Sequence, residues 1–165
     1  MSTEKYKIYF SQKRSLNNKL DPKILKKAVH TALKAEGVNV PCEVSMYITD
    51  DAEIHETNLE FRGVDKSTDV LSFPMQEFVP GDFCPDDGEI DPETGRIPLG
   101  DIMISSEHAV KQGEEFGHSA DREAAYLTVH SVLHLLGYDH MDEGEQKKQM
   151  RDREKVIMSI LGLGE

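Results

Sequence analysis

The sequence has little cysteine and no long apolar run. Its 165 residues include only two cysteines, Cys42 and Cys84, which stand 42 positions apart and form no CxxC pair. That spacing is not a disulfide framework, so we expect a reducing, cytoplasmic setting. No stretch of 18 apolar residues is present, so no membrane span is predicted. The first residues, MSTEKYKIYFSQKRS, lack an apolar segment and a small-residue cleavage site, and we expect no secretory signal.

The composition indicates one folded domain over residues 1–165. Apolar residues make up 38% of the chain and charged residues 30%. A chain of about 150 residues can bury ~70% of the surface that its unfolded form exposes, which argues against disorder. The glycines follow no triplet period, which excludes a collagen-like chain.

Charge is spread unevenly along the chain. The net charge is −12, yet residues 1–34 hold nine basic against two acidic residues, a balance of +7. A basic N-terminal face keeps a nucleic-acid partner open, and an ordinary solvated helix face is the alternative. Residues 76–98 carry a balance of −6 and are rich in proline and glycine without any period. We interpret them as an acidic loop insertion.

The spacing of apolar residues predicts four strands and five helices. The strands are expected over residues 5–10, 43–49, 68–73 and 99–104. The helices are expected from Asp21-Pro22 to Gly37, from Asp50 or Asp51 to Phe61, from Ser105 to Phe116, from Ser119 to Leu136 and from Asp142 to Leu161. This order favours an α+β domain, a four-stranded mixed sheet packed with about five helices, without the regular alternation of a doubly wound fold.

The fourth predicted helix carries the most informative residues. From Leu127 to Leu136 the chain reads LTVHSVLHLL, a helix apolar on nearly every side and therefore buried. His130 and His134 are four residues apart and share one face, about 6 Å apart along the axis. Two buried imidazoles are costly unless something satisfies their nitrogens, and a metal ion does so.

A third histidine follows directly after the helix. Gly137 suits the left-handed position that ends a helix, and His140 comes three residues later. Three protein ligands with a fourth position left to water describe a catalytic zinc site. We therefore predict one zinc ion per chain, held by His130, His134 and His140 at the end of the buried helix. The alternative is two core histidines bonded to backbone carbonyls and a surface His140.

The ligand spacing matches that of the metzincin proteases, H-E-x-x-H-x-x-G-x-x-H, with one departure. The glutamate that serves those enzymes as general base is Ser131 here, and a serine cannot take a proton from water at neutral pH. Zinc alone can lower the pKa of a bound water to ~7. The pattern thus favours hydrolysis of something other than a peptide, or a base supplied from elsewhere.

Three further blocks accompany HSVLHLLGYDH of residues 130–140. They are NLEFRG over residues 58–63 with Asp65-Lys66, TDVLSFP over residues 68–74, and LGDI over residues 99–102. In these motifs and in their order, the sequence resembles the YbeY-type endoribonucleases, the bacterial rRNA maturation factors. Ser131 stands where the family usually has glycine, and the stretch 76–98 is longer than the family's usual connection.

The resemblance implies a zincin-like fold and the three-histidine zinc site. It also implies single-strand-specific RNA cleavage in maturation of the 16S rRNA 3′ end and in ribosome quality control. In that reaction a metal-activated water would attack a phosphodiester. The implied partners are single-stranded RNA, as the 16S rRNA precursor, and the ribosome or ribosomal proteins, with neither DNA nor membrane expected. Arg62 matches the family's functionally important arginine.

Two residues near the expected metal have more than one interpretation. Arg62 could clamp a phosphate and hold transition-state charge, or it could pair on the surface with Asp65 or Asp69. Asp139 could accept an N–H from a ligand histidine as a supporting partner of the metal site, or it could bond the backbone of its own turn.

Two other functions stay open on the residues alone. The first is a non-catalytic ribosome-assembly factor with a structural zinc ion, favoured by the acidic balance and the missing base. The second is a metallopeptidase-like hydrolase, favoured by the metzincin spacing and opposed by Ser131. RNA as a substrate comes from the resemblance.

Overall fold

A computed structural model describes residues 5–138 and 144–163. Four strands run through it, β1 (Tyr6–Gln12), β2 (Cys42–Thr49), β3 (Val70–Pro74) and β4 (Ile97–Ser105). Five α-helices join them, α1 (Pro22–Ala35), α2 (Asp51–Arg62), α3 (Ser106–Phe116), α4 (Ala120–Leu135) and α5 (Glu145–Ile160). The predicted α+β fold with a four-stranded mixed sheet and five helices is confirmed.

The sheet has the order β1-β2-β4-β3. β1 pairs with β2 and β2 with β4 in parallel, whereas the edge strand β3 runs antiparallel to β4. Parallel neighbours need a crossover connection. α1 connects β1 to β2, and α2 together with the edge strand β3 connects β2 to β4.

The two faces of the sheet carry different residues because side chains alternate along each strand. Met46 of β2, Ile102 of β4 and Ser72 of β3 stand in register on one face, and the neighbouring row Ser45, Asp101 and Phe73 points to the other. The first face packs on α1 and α4, against which α5 packs in turn, and forms the main core. The second face is covered only in part, by α2.

Local sequence sets most helix ends. Asp21, Asp50, Ser105 and Ser119 each cap a helix N-terminus by accepting a backbone N–H, as short polar side chains do. α2 and α3 end at Gly63 and Gly117, both in the left-handed conformation. The start predicted for the last helix, Asp142, lies outside the described residues.

Two strands begin two residues away from the predicted start. β3 begins at Val70 rather than at residue 68. β4 begins at Ile97 rather than at residue 99, because the Ile97 N–H donates to the carbonyl of Pro41 (3.0 Å) and draws the segment into the sheet. The following Pro98 lies beside a register shift in β2, between Glu43 and Val44, where a missing donor is tolerated.

The acidic loop therefore runs from β3 to Ile97 and is anchored on the core. It holds a short 3₁₀ turn (Pro85–Asp87) and two isolated bridges. Phe78 is only 7% exposed and packs against Phe83, with ring centroids 4.9 Å apart. Gln76 fixes the start of the loop by donating from Nε2 to the Pro98 carbonyl (2.9 Å).

Within residues 5–138 and 144–163, no helix combines the length and the apolar character that a membrane crossing needs.

Candidate metal site and cleft

α4 holds two histidines side by side at the edge of a cleft. Seven of its ten residues from Tyr126 to Leu135 are fully or almost fully buried, which fixes the rotation of the helix about its axis. The His130 and His134 rings meet edge-on with centroids 4.7 Å apart. Their Nε2 atoms lie 3.2 Å from each other.

The second nitrogen of each ring is occupied by an oxygen acceptor. Nδ1 of His130 lies 2.5 Å from Oε2 of Glu154, and Nδ1 of His134 lies 2.9 Å from the carbonyl oxygen of Tyr138. Each oxygen requires an Nδ1–H donor, so in the neutral rings both Nε2 atoms carry lone pairs. Such outer partners orient metal-ligating histidines and set their tautomer.

With both Nδ1 atoms protonated, the two Nε2 atoms, 3.2 Å apart, can bind one cation together. Nitrogens bound 2.0–2.1 Å from a tetrahedral zinc ion lie about 3.3 Å apart. The observed separation therefore fits a shared zinc ion, and the donor set of neutral imidazoles suits that metal.

The remaining residues predicted at the metal, His140 and Asp139, lie outside the described residues. Across residues 5–138 and 144–163 no cluster of three possible metal ligands is formed. Gly137, which follows the end of α4, has a positive φ of 103°, as its predicted position at the helix end requires. A Cβ there would lie 2.1 Å from the Phe78 carbonyl oxygen, so only glycine fits between the helix end and the acidic loop.

A cleft of about 720 Å³ opens beside the two histidines. Its walls come from the end of α2, from β3, from the start of the acidic loop and from the end of α4. The residues with polar side chains that line it are Arg62, Thr68, Asp69, Ser72, Gln76, Glu77, His130, His134 and Tyr138.

Arg62 reaches this cleft from the last turn of α2. It is exposed, and within the described parts of the chain its guanidinium forms no ion pair or hydrogen bond. Among the described residues, Arg62 does not form the surface ion pair with Asp65 or Asp69 that the sequence left open. Asp65 instead contacts Nε2 of His55 (2.7 Å), and Asp69 accepts from the Val70 N–H (2.7 Å). The guanidinium therefore keeps its donors for a bound group.

Ser131, at the position of the metzincin base, has a packing role. It is fully buried, and its hydroxyl lies 2.6 Å from the Ser72 hydroxyl on the edge strand. This hydrogen bond joins α4 to β3 beneath the cleft. The side chain is thus committed to the helix–sheet contact, in agreement with the inference that position 131 supplies no base.

Glu154 is the site residue that sequence reasoning missed. It is 5% exposed, accepts from the Tyr126 hydroxyl (2.8 Å) through Oε1 and contacts His130 through Oε2. Burial and the Glu154 carboxylate raise the pKa of Tyr126, so the phenol stays a donor. The available signal was a carboxylate on the apolar face of α5, in helical spacing with the buried Met150 and Ile157.

The side chains of Tyr138 and Asp101 do not contact the histidines. The Tyr138 ring is buried and its hydroxyl donates to Glu36 (2.6 Å), so this side chain packs in the core. Asp101 points to the other face of the sheet and lines a separate cavity.

The α+β fold, the paired imidazoles and the cleft that Arg62 lines are together typical of hydrolases. Residues 7–162 match the sequence model of the family described as "Endoribonuclease YbeY". The chain belongs to this family, whose members are named as RNA-cleaving hydrolases, and the resemblance drawn from the motifs is confirmed.

Curated relatives agree with this assignment, and a solved structure shares the fold. An endoribonuclease YbeY of Clostridium botulinum (strain Hall) is 46% identical, with 94% of this chain and 98% of that protein covered. The protein of the same name from strain Loch Maree is 47% identical, with 84% and 87% covered. The solution structure of TM1509 from Thermotoga maritima superposes with a TM-score of 0.54 at 23% identity, covering 94% of this chain and 90% of that one. At that identity the superposition shows a shared fold.

Proposed function

We propose that the protein is a zinc-dependent, single-strand-specific endoribonuclease of the cytoplasm. Its proposed substrate is the 16S rRNA precursor, in 3′-end maturation and in ribosome quality control. The observation that carries the proposal is the pair of Nε2 atoms 3.2 Å apart beside a cleft that Arg62 lines. Support for RNA as the substrate comes from the names of the family and of its relatives.

His130 and His134 would hold the zinc ion, with His140 as the third ligand. When bound, zinc supplies Lewis-acid chemistry and lowers the pKa of water. The protein's own part is to orient both imidazoles so that their Nε2 atoms point toward one place. Glu154 and the Tyr138 carbonyl do this by accepting from Nδ1 of each ring.

Arg62 would bind the scissile phosphate. A guanidinium offers parallel N–H donors that match two phosphate oxygens. The same donors can stabilise the extra negative charge of the transition state, an effect that grows where water is excluded. The exposed position of Arg62 at the cleft lets it meet a polymer backbone that lies across the surface.

Cleavage of single-stranded RNA by the wild type beside His134→Ala is the direct test. His55→Ala is the matched control, since His55 lies outside the cleft and contacts Asp65. Wild type and His55→Ala should cleave equally, His134→Ala should lose activity, and a chelator should reproduce that loss in the wild type.

Other outcomes separate the alternatives. Equal cleavage by all three proteins would place the activity outside the histidine site. RNA binding without cleavage by any of them, together with unfolding on metal removal, would support the non-catalytic assembly factor. Peptide cleavage that disappears in His134→Ala would support the metallopeptidase.

A further inference from the structure

A second cavity, of about 700 Å³, lies between α4, α5 and the segment after α3. It stands out in this acidic chain because basic and aromatic side chains line it. Arg122 of α4 and Arg151 and Lys155 of α5 supply the cations, and Phe116 and Tyr126 supply the rings. We name this cavity the basic groove.

The surface that the basic groove presents to solvent is cationic. Arg151 and Lys155 are exposed, and none of the three cations pairs with a carboxylate in the part of the chain that the structure describes. The two carboxylates of the groove lie beneath them. Glu123 and Glu154 are only 7% and 5% exposed, and Glu154 is committed to His130 and Tyr126.

The Arg122 guanidinium bonds a histidine ring rather than a carboxylate. Its Nη1 lies 2.8 Å from Nδ1 of His118, and an arginine can only donate, so the imidazole accepts. The guanidinium keeps its full charge and further donors. Phe116 beside it is 63% exposed, with its ring centroid 6.4 Å from that of His118.

The basic groove lies next to the histidine cleft along α4. Arg122, Tyr126 and His130 follow one another at four-residue spacing and so lie along one face of α4, over about 12 Å. The ring centroids of Tyr126 and His130 are 6.3 Å apart. Glu154 bonds both side chains and forms the wall between the two cavities.

We propose that single-stranded RNA leaving the histidine cleft lies in the basic groove, where Arg122, Arg151 and Lys155 bind its phosphates and Phe116 stacks on a base. Cations interleaved with aromatic rings are how proteins bind single strands without reading their sequence. This inference rests on the proposed function, and it accounts for RNA binding by a chain of net charge −12.

The test compares Arg151→Ala/Lys155→Ala with Lys23→Ala/Lys27→Ala. Each double variant removes two positive charges from one helix, but Lys23 and Lys27 lie on α1 and do not line the basic groove. Binding of a fluorescent, phosphorothioate-protected single-stranded RNA is measured by anisotropy over a series of salt concentrations. Cleavage of unmodified RNA is measured in parallel.

We expect the groove variant to bind about tenfold more weakly. The slope of log affinity against log salt should fall by about 1.4, the value for two phosphate contacts on a single strand. The control variant should bind like wild type. In the cleavage assay, the groove variant should have a higher KM than wild type and nearly the same kcat. With a short substrate that contains only the nucleotides at the scissile bond, the two proteins should have the same KM.

Phe116→Ala tests the stacking contact without changing the charge of the basic groove. Loss of one stacked base should weaken binding by about tenfold without changing the salt slope. Wild type that binds and cleaves RNA, with groove and control variants indistinguishable from each other, would overturn the groove and leave the proposed function standing. Wild type that neither binds nor cleaves RNA would overturn both.

Discussion

Two cavities of nearly equal size lie on opposite faces of the sheet, and only one of them is organised as a reactive site. The histidine cleft has a volume of about 720 Å³ and the open-face cavity about 690 Å³. Ser72 lines the first, and its neighbour Phe73 lines the second. Size therefore does not distinguish them.

The difference lies in how their polar groups are held. In the histidine cleft both imidazoles are fixed by acceptors on Nδ1. In the open-face cavity the carboxyl group is Asp101, which has no hydrogen-bond partner among the described residues. Around it lie rings such as Tyr9, Phe61 and Phe73. Catalysis needs polar groups that are held in place before the substrate binds. Substitutions in and around the two cavities can test whether this difference in how the polar groups are held governs function.

The largest effect is expected from Gly137→Ala, which would deform the wall of the histidine cleft. The new Cβ would lie 2.1 Å from the Phe78 carbonyl oxygen at a residue with φ of 103°. Left-handed strain of 1–2 kcal/mol and overpacking of 1–3 kcal/mol together predict a loss of about 4 kcal/mol in unfolding free energy. The midpoint of thermal unfolding should fall by about 10 °C.

Gly117→Ala is the matched control for this substitution. Gly117 also has a positive φ, of 74°, but a Cβ added there would meet no other atom within 4 Å. Strain alone predicts a cost of about 1 kcal/mol and a fall of about 3 °C. Equal melting temperatures for the two variants would contradict the contact between the helix end and the acidic loop.

Arg62→Ala offers a direct contrast between the cavities because Phe61, its neighbour in the chain, lines the other one. Loss of a donor that stabilises transition-state charge should lower kcat for RNA cleavage by about 100-fold. Phe61→Ala should leave kcat near the wild-type value, since its ring is 66% exposed on the opposite face. Steady-state kinetics on single-stranded RNA measures both, and a similar loss in the two variants would make the open face part of the active site.

Glu154→Gln tests the support beneath the histidines. The amide can accept through one oxygen only, so it cannot bond Tyr126 and His130 as the carboxylate does. Removal of such a partner weakens metal binding by 10–100-fold, and we expect about tenfold for zinc, measured by competition with a chelator. Glu123→Gln is the control, a buried glutamate of α4 whose pKa is raised by burial and by Asp69. Zinc affinities that fall equally in both variants would remove any special role for Glu154.

These residues also mark how far the sequence could predict the site. His130 and His134 were predictable because the apolar pattern and the Ser119 cap fix α4 locally. Glu154 was not, since it meets His130 only through the packing of α5 on α4, 24 positions along the chain. A carboxylate among buried apolar residues of α5 was the one clue.

The strands show the same limit. Alternation predicted four strands, but which face Asp101 would join depended on its register with Ser45 and Phe73. The early start of β4 likewise depends on the hydrogen bond from Ile97 to Pro41, 56 positions away. Pairing between distant segments cannot be read from local periodicity.

The smallest effect is expected from Asp101→Asn on the open face. Burial raises the pKa of Asp101, so the folded protein holds this proton more tightly than the unfolded chain. The carboxylate therefore destabilises the fold once the pH has risen through the folded pKa, and the penalty disappears below the ordinary Asp pKa of about 3.9. At neutral pH the amide should raise the unfolding midpoint by about 1–2 °C.

Asp86→Asn is the control for this substitution. Asp86 lies in the exposed part of the acidic loop, so its replacement removes one negative charge but no buried carboxylate. Comparison of the two variants separates the effect of burial from the effect of net charge. The gain of Asp101→Asn over this control should vanish in acid, and RNA cleavage should stay at the wild-type rate. A loss of cleavage in Asp101→Asn alone would give the open face a chemical role. The contrast between the two cavities would then rest on their distance from the histidines rather than on how their polar groups are held.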